Sequence, residues 1–378
     1  MITIPWLILE RTDSPAFAGI VVAISALPGL LISPIGGWMV DHLGRRAVSI
    51  NADILSAISV MSFPIAAATV GLTSPLILIF AFLGAIFDPA GYTARRTLLA
   101  DVAKDSNFDL NRLNGIHDGF LGVAWIFGPA AGAWLISAVG SVNSFWFASA
   151  LFLIASIAIA VLRVPDLGKE AKAEAAELGI VLDKSFTLGV RTLWSDRLLR
   201  TITLGTLIIA AVYLPTESVL LPTFFEGQDN PGGLGFVISA LATGAAISAF
   251  GYGWISARLR RRTMVRMTLI GAAASFIPMA FLPPLPVLIA AGFLLGLSWG
   301  PFNPLITSLI QERVPADQQG RVFGAQIATF YAAPPLGMVA AGFSVESFGV
   351  GNTYAVLAVL ISATAVIVLL TRPLRNHF

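Results

Sequence analysis

No cysteine occurs anywhere in the chain, which removes disulfides, thiolate nucleophiles and cysteine-based metal centres together. Only three histidines are present, His42, His117 and His377, too scattered to make a local ligand cluster, so no metal site is expected. Charge is scarce as well: Asp, Glu, Lys and Arg make up 12% of the 378 residues, where an ordinary globular protein has about 25%. That deficit excludes a water-soluble protein of this size. No Gly-rich phosphate loop with a following Lys and Ser or Thr is found, which argues against an ATP-driven machine, and no local signature gathers Ser, His and Asp into a catalytic set. An enzyme is therefore not expected. What remains is apolar: 56% of residues are hydrophobic, and 35 Gly and 22 Pro are dispersed through long apolar runs, the composition of helices dissolved in lipid.

A helix needs about 20 apolar residues to cross the hydrocarbon core. Eleven segments qualify, at 17–40, 47–72, 75–97, 113–139, 142–162, 201–225, 234–255, 264–282, 286–310, 322–343 and 351–370; they are numbered spans 2 to 12. Residues 2–9 are apolar but too short to cross, and read as the stump of span 1. The fold class expected is an all-α membrane protein. If the loop after span 2 is cytoplasmic, every one of the 23 Lys and Arg except Arg11 falls at an inner end or inner loop, so the linker and the C-terminus are assigned to the cytoplasm. The basic residues follow membrane sidedness and give no sign of a nucleic-acid partner.

The two halves repeat. Ile24-Ser25-Ala26-Leu27 returns as Ile238-Ser239-Ala240-Leu241, Gly37-Trp38 as Gly253-Trp254, and the pair Arg45-Arg46 as Arg261-Arg262, in order and at near-constant offset. The longest polar stretch divides them. The expected organisation is an N-terminal helix bundle (1–164), a cytoplasmic linker with a helix on the inner membrane surface (165–198) and a C-terminal bundle (199–378). By repeat arithmetic span 1 is short by roughly 16 residues, so the reading expects the coding region to extend upstream of Met1.

Between spans 2 and 3 stands Gly37-Trp38-Met39-Val40-Asp41-His42-Leu43-Gly44-Arg45-Arg46, the pattern G-x-x-x-D-x-x-G-R-R. Gly37 allows close helix packing, Gly44 permits a tight turn, Asp41 suits a partner helix N-terminus, and the arginines hold the inner surface. Here the sequence resembles the major facilitator superfamily. That resemblance implies two pseudo-symmetric six-helix bundles, here with eleven full crossings and a partial first helix. It also implies a charge latch on the cytoplasmic side made by Asp41 and Arg45, with Asp101 and the start of span 11 at Gly320-Arg321 as partners. Asp53, near the inner end of span 3, is expected to serve as a structural partner of the latch arginines.

In span 5, Gly128-Pro129-Ala130-Ala131-Gly132-Ala133, preceded by Gly115, Gly119 and Gly122, resembles the antiporter motif of drug:proton exporters within that superfamily. Small residues at i and i+4 let another helix approach closely, and Pro129 is tolerated where neighbours satisfy the freed carbonyl. The runs Tyr213-Leu214-Pro215-Thr216-Glu217-Ser218-Val219-Leu220 and Ala280-Phe281-Leu282-Pro283-Pro284-Leu285-Pro286-Val287, with Gly300-Pro301, resemble the mycobacterial Tap-type multidrug efflux pumps. The resemblance implies proton-coupled export of small amphiphilic drugs, tetracycline-like and aminoglycoside-like compounds among them, across a bacterial plasma membrane. It implies a monomer with no cofactor beyond the proton gradient.

Acids inside the bilayer are functional suspects. Asp88 in span 4, Asp118 in span 5 and Glu217 in span 7 are the proton-coupling candidates, with helix-break, Arg-pairing and rim roles respectively as the plainer alternatives. In the superfamily, spans 4, 5, 7, 10 and 11 face a central cavity, which implies Tyr213, Trp299, Asn303, Gln326 and Tyr331 as its aromatic and polar lining. Two other readings stand beside drug export: a siderophore or metabolite exporter of the same fold, and a non-transporting membrane enzyme or sensor derived from it.

Overall fold

A computed structural model of the chain describes residues 2–31, 43–106, 109–162, 186–314, 322, 325–326 and 334–370. Among these no β-strand occurs. The helices are α1 (Thr3–Thr12), α2 (Pro15–Leu31), α3 (Arg45–Thr69), α4 (Ser74–Asp105), α5 (Leu110–Val139), α6 (Ser141–Val161), α7 (Phe186–Ser195), α8 (Arg197–Pro215), α9 (Leu221–Glu226), α10 (Pro231–Phe250), α11 (Tyr252–Arg258), α12 (Arg261–Met279), α13 (Leu285–Trp299), α14 (Phe302–Arg313), α15 (Pro334–Phe348) and α16 (Val350–Leu370).

Local chemistry sets the ends. Asp109 caps α5 by accepting from the Arg112 amide (2.8 Å), and Asn230 caps α10 by accepting from the Gly233 amide (2.9 Å), with Pro231 following at the first helical position. Gly140, at φ 84°, ends α5 and opens α6 in one residue, a conformation that a side chain would strain. Six described helices are long and apolar enough to cross a bilayer: Arg45–Thr69, Ser74–Asp105, Ile116–Val139, Ser141–Val161, Pro231–Phe250 and Val350–Ile367.

Three expected spans are not single helices. Span 7 is built from α8, a π-helical turn (Thr216–Leu220) and α9, because Pro215 and Pro222 each lack the amide that would continue the α-helical ladder. Span 10 breaks at Gly300-Pro301 into α13 and α14 for the same reason, and span 8 steps at Gly251 into α11.

The helices form two compact units. One contains residues 1–20, 124–134 and 184–378; the other contains 21–123 and 135–183. In the second unit α3 packs against α4 and α6. Phe63 stacks on Phe145 (4.5 Å between centroids) and meets Phe80 edge-on (5.5 Å), while Ser59, Ser149 and Ser156 donate hydroxyl bonds to the carbonyls of Phe80, Ala57 and Ile50 on neighbouring helices. Such bonds and small side chains bind helices that lipid does not push together.

In the first unit α10 and α13 cross backbone to backbone. A Cβ on Gly244 would stand 2.8 Å from the Leu297 amide nitrogen, and one on Gly296 would stand 2.8 Å from the Leu241 carbonyl carbon. One end of this unit is closed by an apolar cluster of Leu198, Leu199, Met264, Val265, Phe302, Leu305 and Leu309, into which α7 inserts the fully buried Leu193. The expected surface helix is thus docked on protein through this residue. Asp196 caps α8 by accepting from the Leu198 and Leu199 amides (2.8 and 2.9 Å) and pairs with Arg313 (3.2 Å).

Candidate functional site

The motif after span 2 is described from residue 43 onward; Gly37 and Asp41 lie outside the described residues, as do Gly320, Arg321 and Tyr331. Gly44 precedes α3 at φ 93°, ψ 147°, a backbone that only glycine takes without strain, and this turn aims Arg45 back toward α4. The Arg45 guanidinium reaches Asp101 Oδ1 at 2.5 Å, and the Asp101 carboxylate is 0% exposed. Arg46 turns the other way and donates to the carbonyls of Ile159 and Ala160 at the end of α6. Two arginines adjacent in sequence therefore tie α3 to both of its packing partners.

Asp53 does not pair with those arginines. Two turns into α3, it accepts from Arg95 on α4 at 2.5 Å, because position 53 faces α4 while Arg45 and Arg46 lie beyond its reach. The two ion pairs, Arg45–Asp101 and Arg95–Asp53, run in opposite senses across the α3–α4 contact, each helix giving one cation and one anion. Below them Val48, Ala90 and Ala94 form a small buried apolar cluster. Buried ion pairs of this kind are strongly destabilising to break from one side, since the surviving charge is left without its partner.

The three acids expected to handle protons have different surroundings. Asp88 is exposed on α4 and makes no ion pair among the described residues. Asp118 is held by Arg96, with both carboxylate oxygens engaged, and by His117 (3.2 Å), and is 49% exposed. Glu217 sits in the π turn, makes no ion pair among the described residues, and accepts a hydrogen bond from the Tyr213 hydroxyl at 2.6 Å. The π geometry matters here: it inserts one extra residue in the turn at the point where the helix carries its carboxyl, a distortion often found at functional sites.

Around Glu217 is a set of groups that sequence reasoning only half found. Tyr213 is buried and stacks on Trp299 (5.2 Å, 11° between planes), which in turn stacks on Phe302 (5.3 Å, 12°). Trp299 is placed there by the break of span 10, since α13 ends on it and α14 starts from Phe302. Thr216 and Tyr354 were not singled out from sequence, yet both are 0% exposed and neither hydroxyl has a hydrogen-bond partner of good geometry among the described residues. A lone Tyr in the otherwise apolar span 12 was the signal available. Gln326 is buried and accepts at 2.8 Å from Thr203, in the second turn of α8. Asn303 lies on α14, and its side chain is outside the described residues.

The small-residue run of span 5 is only partly a packing surface. Among the described residues, a Cβ on Gly119, Gly122 or Gly128 would meet no atom within 4 Å, whereas one on Gly132 would stand 3.4 Å from Ile2. Close approach occurs one turn after Gly128: a Cβ on Gly235 of α10 would stand 2.6 Å from Ala133 Cβ and 3.0 Å from the Pro129 carbonyl oxygen. It is Gly235, not Gly128, that makes room for the crossing.

Outside the spans, burial together with the neighbouring Asp13, Glu10 and Asp229 pushes the Glu226 carboxyl above its ordinary value. At Asp196 burial acts in the same raising direction, but the Leu199 amide, the Arg313 charge and the Leu198 amide outweigh it and hold the carboxyl below the usual range.

The sequence profile of the Major Facilitator Superfamily matches residues 1–325 and 218–377. Along its whole length the chain is similar to the multidrug efflux pump Tap of Mycobacterium tuberculosis: 35% identical over 379 residues, covering 100% of this chain and 90% of that protein. Macrolide efflux protein A of Streptococcus pyogenes is 23% identical over 371 residues, covering 95% of this chain and 88% of that one. Among solved structures, the nucleoside transporter NupG has the same fold, with a TM-score of 0.80 at 13% identity over 97% of this chain and 93% of that one.

Proposed function

The chain belongs to the Major Facilitator Superfamily, and from that premise we propose that it exports small amphiphilic drugs across a bacterial plasma membrane in exchange for protons. Its relatives support export: an efflux pump matches along the whole chain at 35% identity. The observation that carries the proton-coupled part is Glu217, a carboxyl without a cation among its described neighbours, set in a π turn and bonded by Tyr213. An ionised carboxyl at membrane depth without a cation is costly, so a proton and a cationic drug are alternative ways of neutralising the same group.

Exchange follows from that competition. With Glu217 ionised, a cationic amphiphile binds by charge, its apolar body beside the partly exposed Trp299 in the middle of the Tyr213–Trp299–Phe302 stack. When the site faces the outside, a proton taken up on a Glu217 oxygen cancels the attraction and the drug leaves. The protonated carboxyl then returns inward, gives up its proton and is ready again. The Tyr213 hydroxyl stabilises the ionised form by donating to it and must release or rotate when the proton arrives. Asp118, already neutralised by Arg96, serves structure in this scheme, and Asp88 is held in reserve.

The Arg45–Asp101 and Arg95–Asp53 pairs, together with Asp41 and the span 11 start, make up the cytoplasmic latch of the reading. No cofactor is needed, the chain works as a monomer, and the linker and C-terminus are cytoplasmic. The test is expression in a bacterium lacking its own drug pumps. Cells carrying the chain are expected to accumulate less of a fluorescent cationic amphiphile such as ethidium, and a protonophore is expected to abolish the difference. Equal accumulation with and without the chain, over a panel including tetracyclines, macrolides and aminoglycosides, contradicts drug export.

A further inference from the structure

At the end of the molecule that the distribution of Lys and Arg assigns to the outside, α2 and α15 meet in a contact that the sequence pattern did not single out. Ser14 caps α2, its Oγ accepting from the Phe17 amide at 3.1 Å. The same hydroxyl donates to Glu346 Oε2 at 2.6 Å, and Glu346 Oε2 also accepts from the Ala16 amide at 3.1 Å. One carboxylate oxygen from the last turns of α15 therefore completes the cap of a helix that starts 330 residues earlier.

Directly beneath, the helices touch backbone to backbone. A Cβ on Gly342 would stand 2.6 Å from the Pro15 carbonyl oxygen and 3.0 Å from Ala16 Cα, and one on Gly19 would stand 3.2 Å from the Met338 carbonyl carbon. Met338 is buried in this seam. The seam is tight, with glycine at both closest approaches, and its Glu346 contact is exposed. Small-residue seams give close contact that separates without unpacking large groups.

We infer that Glu346, seated on the N-terminus of α2 above the Gly19–Gly342 seam, is a releasable outer latch: a positioning residue whose bonds to Ser14 and Ala16 hold the outer ends of α2 and α15 together and must break in each transport cycle. The latch uses a carboxylate on a helix N-terminus, so it needs an acceptor oxygen more than a full charge. This goes beyond drug and proton binding, and its labelling test requires neither.

The natural absence of cysteine makes the test direct. Met338→Cys places a thiol inside the seam, and its labelling by a membrane-impermeant maleimide added from outside reports opening. Glu346→Ala in that background is expected to raise the labelling rate about threefold to tenfold, the range set by loss of a helix cap. Glu346→Gln, which keeps an acceptor oxygen, is expected to stay within about twofold of the parent. A second measurement does not depend on how Met338→Cys folds: Ser14→Cys with Glu346→Cys, bridged by a bifunctional methanethiosulfonate reagent, is expected to stop substrate-for-substrate exchange, and reductant to restore it. Unchanged labelling in Glu346→Ala, or full exchange by the bridged protein, overturns the latch.

Discussion

Gly296→Ala is the substitution whose outcome the geometry fixes most tightly. The added methyl would overlap the Leu241 carbonyl oxygen and stand 2.8 Å from its carbonyl carbon and 2.9 Å from the Ala245 amide nitrogen. All three obstacles are backbone, so no side chain can swing aside; α10 and α13 have to part by about half an ångström or more. A gap of that size forfeits a quarter to a half of the dispersion attraction along the contact, and overpacking costs typically about 1–3 kcal/mol. Against this, Ala in a helix interior is favoured over Gly by roughly 0.5–1 kcal/mol. A net loss of about 1–2 kcal/mol follows from these terms. Gly128→Ala is the matched control, since it has the same helix preference and no atom of the described residues within 4 Å of the new methyl. Thermal unfolding of the purified variants in one detergent is the assay: Gly296→Ala is expected to melt several degrees below the parent and Gly128→Ala at or above it. Equal melting of the two variants would refute the claim that glycine here is a packing requirement.

At the Arg45–Asp101 pair, Asp101→Ala leaves a guanidinium without its buried partner and is expected to cost about 3 kcal/mol, whereas the double variant with Arg45→Ala recovers part of the loss. Strictly additive losses in that double-mutant cycle would mean that the pair carries no coupling. At Asp196, the carboxyl is held below its ordinary value in the folded chain, so its contribution is present above the unfolded value near 4 and is lost as pH falls through the folded one. Asp196→Ala is therefore expected to destabilise by about 1 kcal/mol at pH 7, the worth of a helix cap, and the difference from the parent is expected to shrink on acidification below pH 4. A gap in melting temperature that stays constant between pH 7 and pH 3 contradicts this. At Glu226 the sign is opposite: a carboxyl raised by burial and by Asp13, Glu10 and Asp229 favours the folded state more as pH falls, and Glu226→Gln is expected to remove that gain.

Sequence alone marks the apolar stretches that build long helices and suggests their sense, because a 20-residue apolar requirement and the distribution of Lys and Arg are one-dimensional properties. The pairing of Arg45 with Asp101 was implied by the family resemblance of the motif around Gly44, and the ion pair between the two residues agrees with it. Sequence did not show that Asp53 takes Arg95, a choice made by the rotation of α3 against α4. Gly128 illustrates the same limit: a small residue reports that close approach is allowed at a position, while the neighbour that uses it, Gly235 against Ala133, is chosen by the tertiary crossing. The breaks at Pro215 and Pro301 were legible as prolines, but the resulting π turn and the placing of Trp299 between Tyr213 and Phe302 depend on how the freed carbonyls are satisfied. Glu346 was missed because it follows the last apolar residue of span 11, where an acid usually faces water.

Proton movement driven by drug in proteoliposomes, for the parent and for Glu217→Gln, is the measurement closest to the central claim. With a pH-sensitive dye trapped inside and a cationic amphiphile added outside, the parent is expected to move protons opposite to the drug. Glu217→Gln is expected to move none while still exchanging labelled for unlabelled drug. If Glu217→Gln moves protons as fast as the parent, the carboxyl in the π turn is not the coupling group and the account fails at its centre.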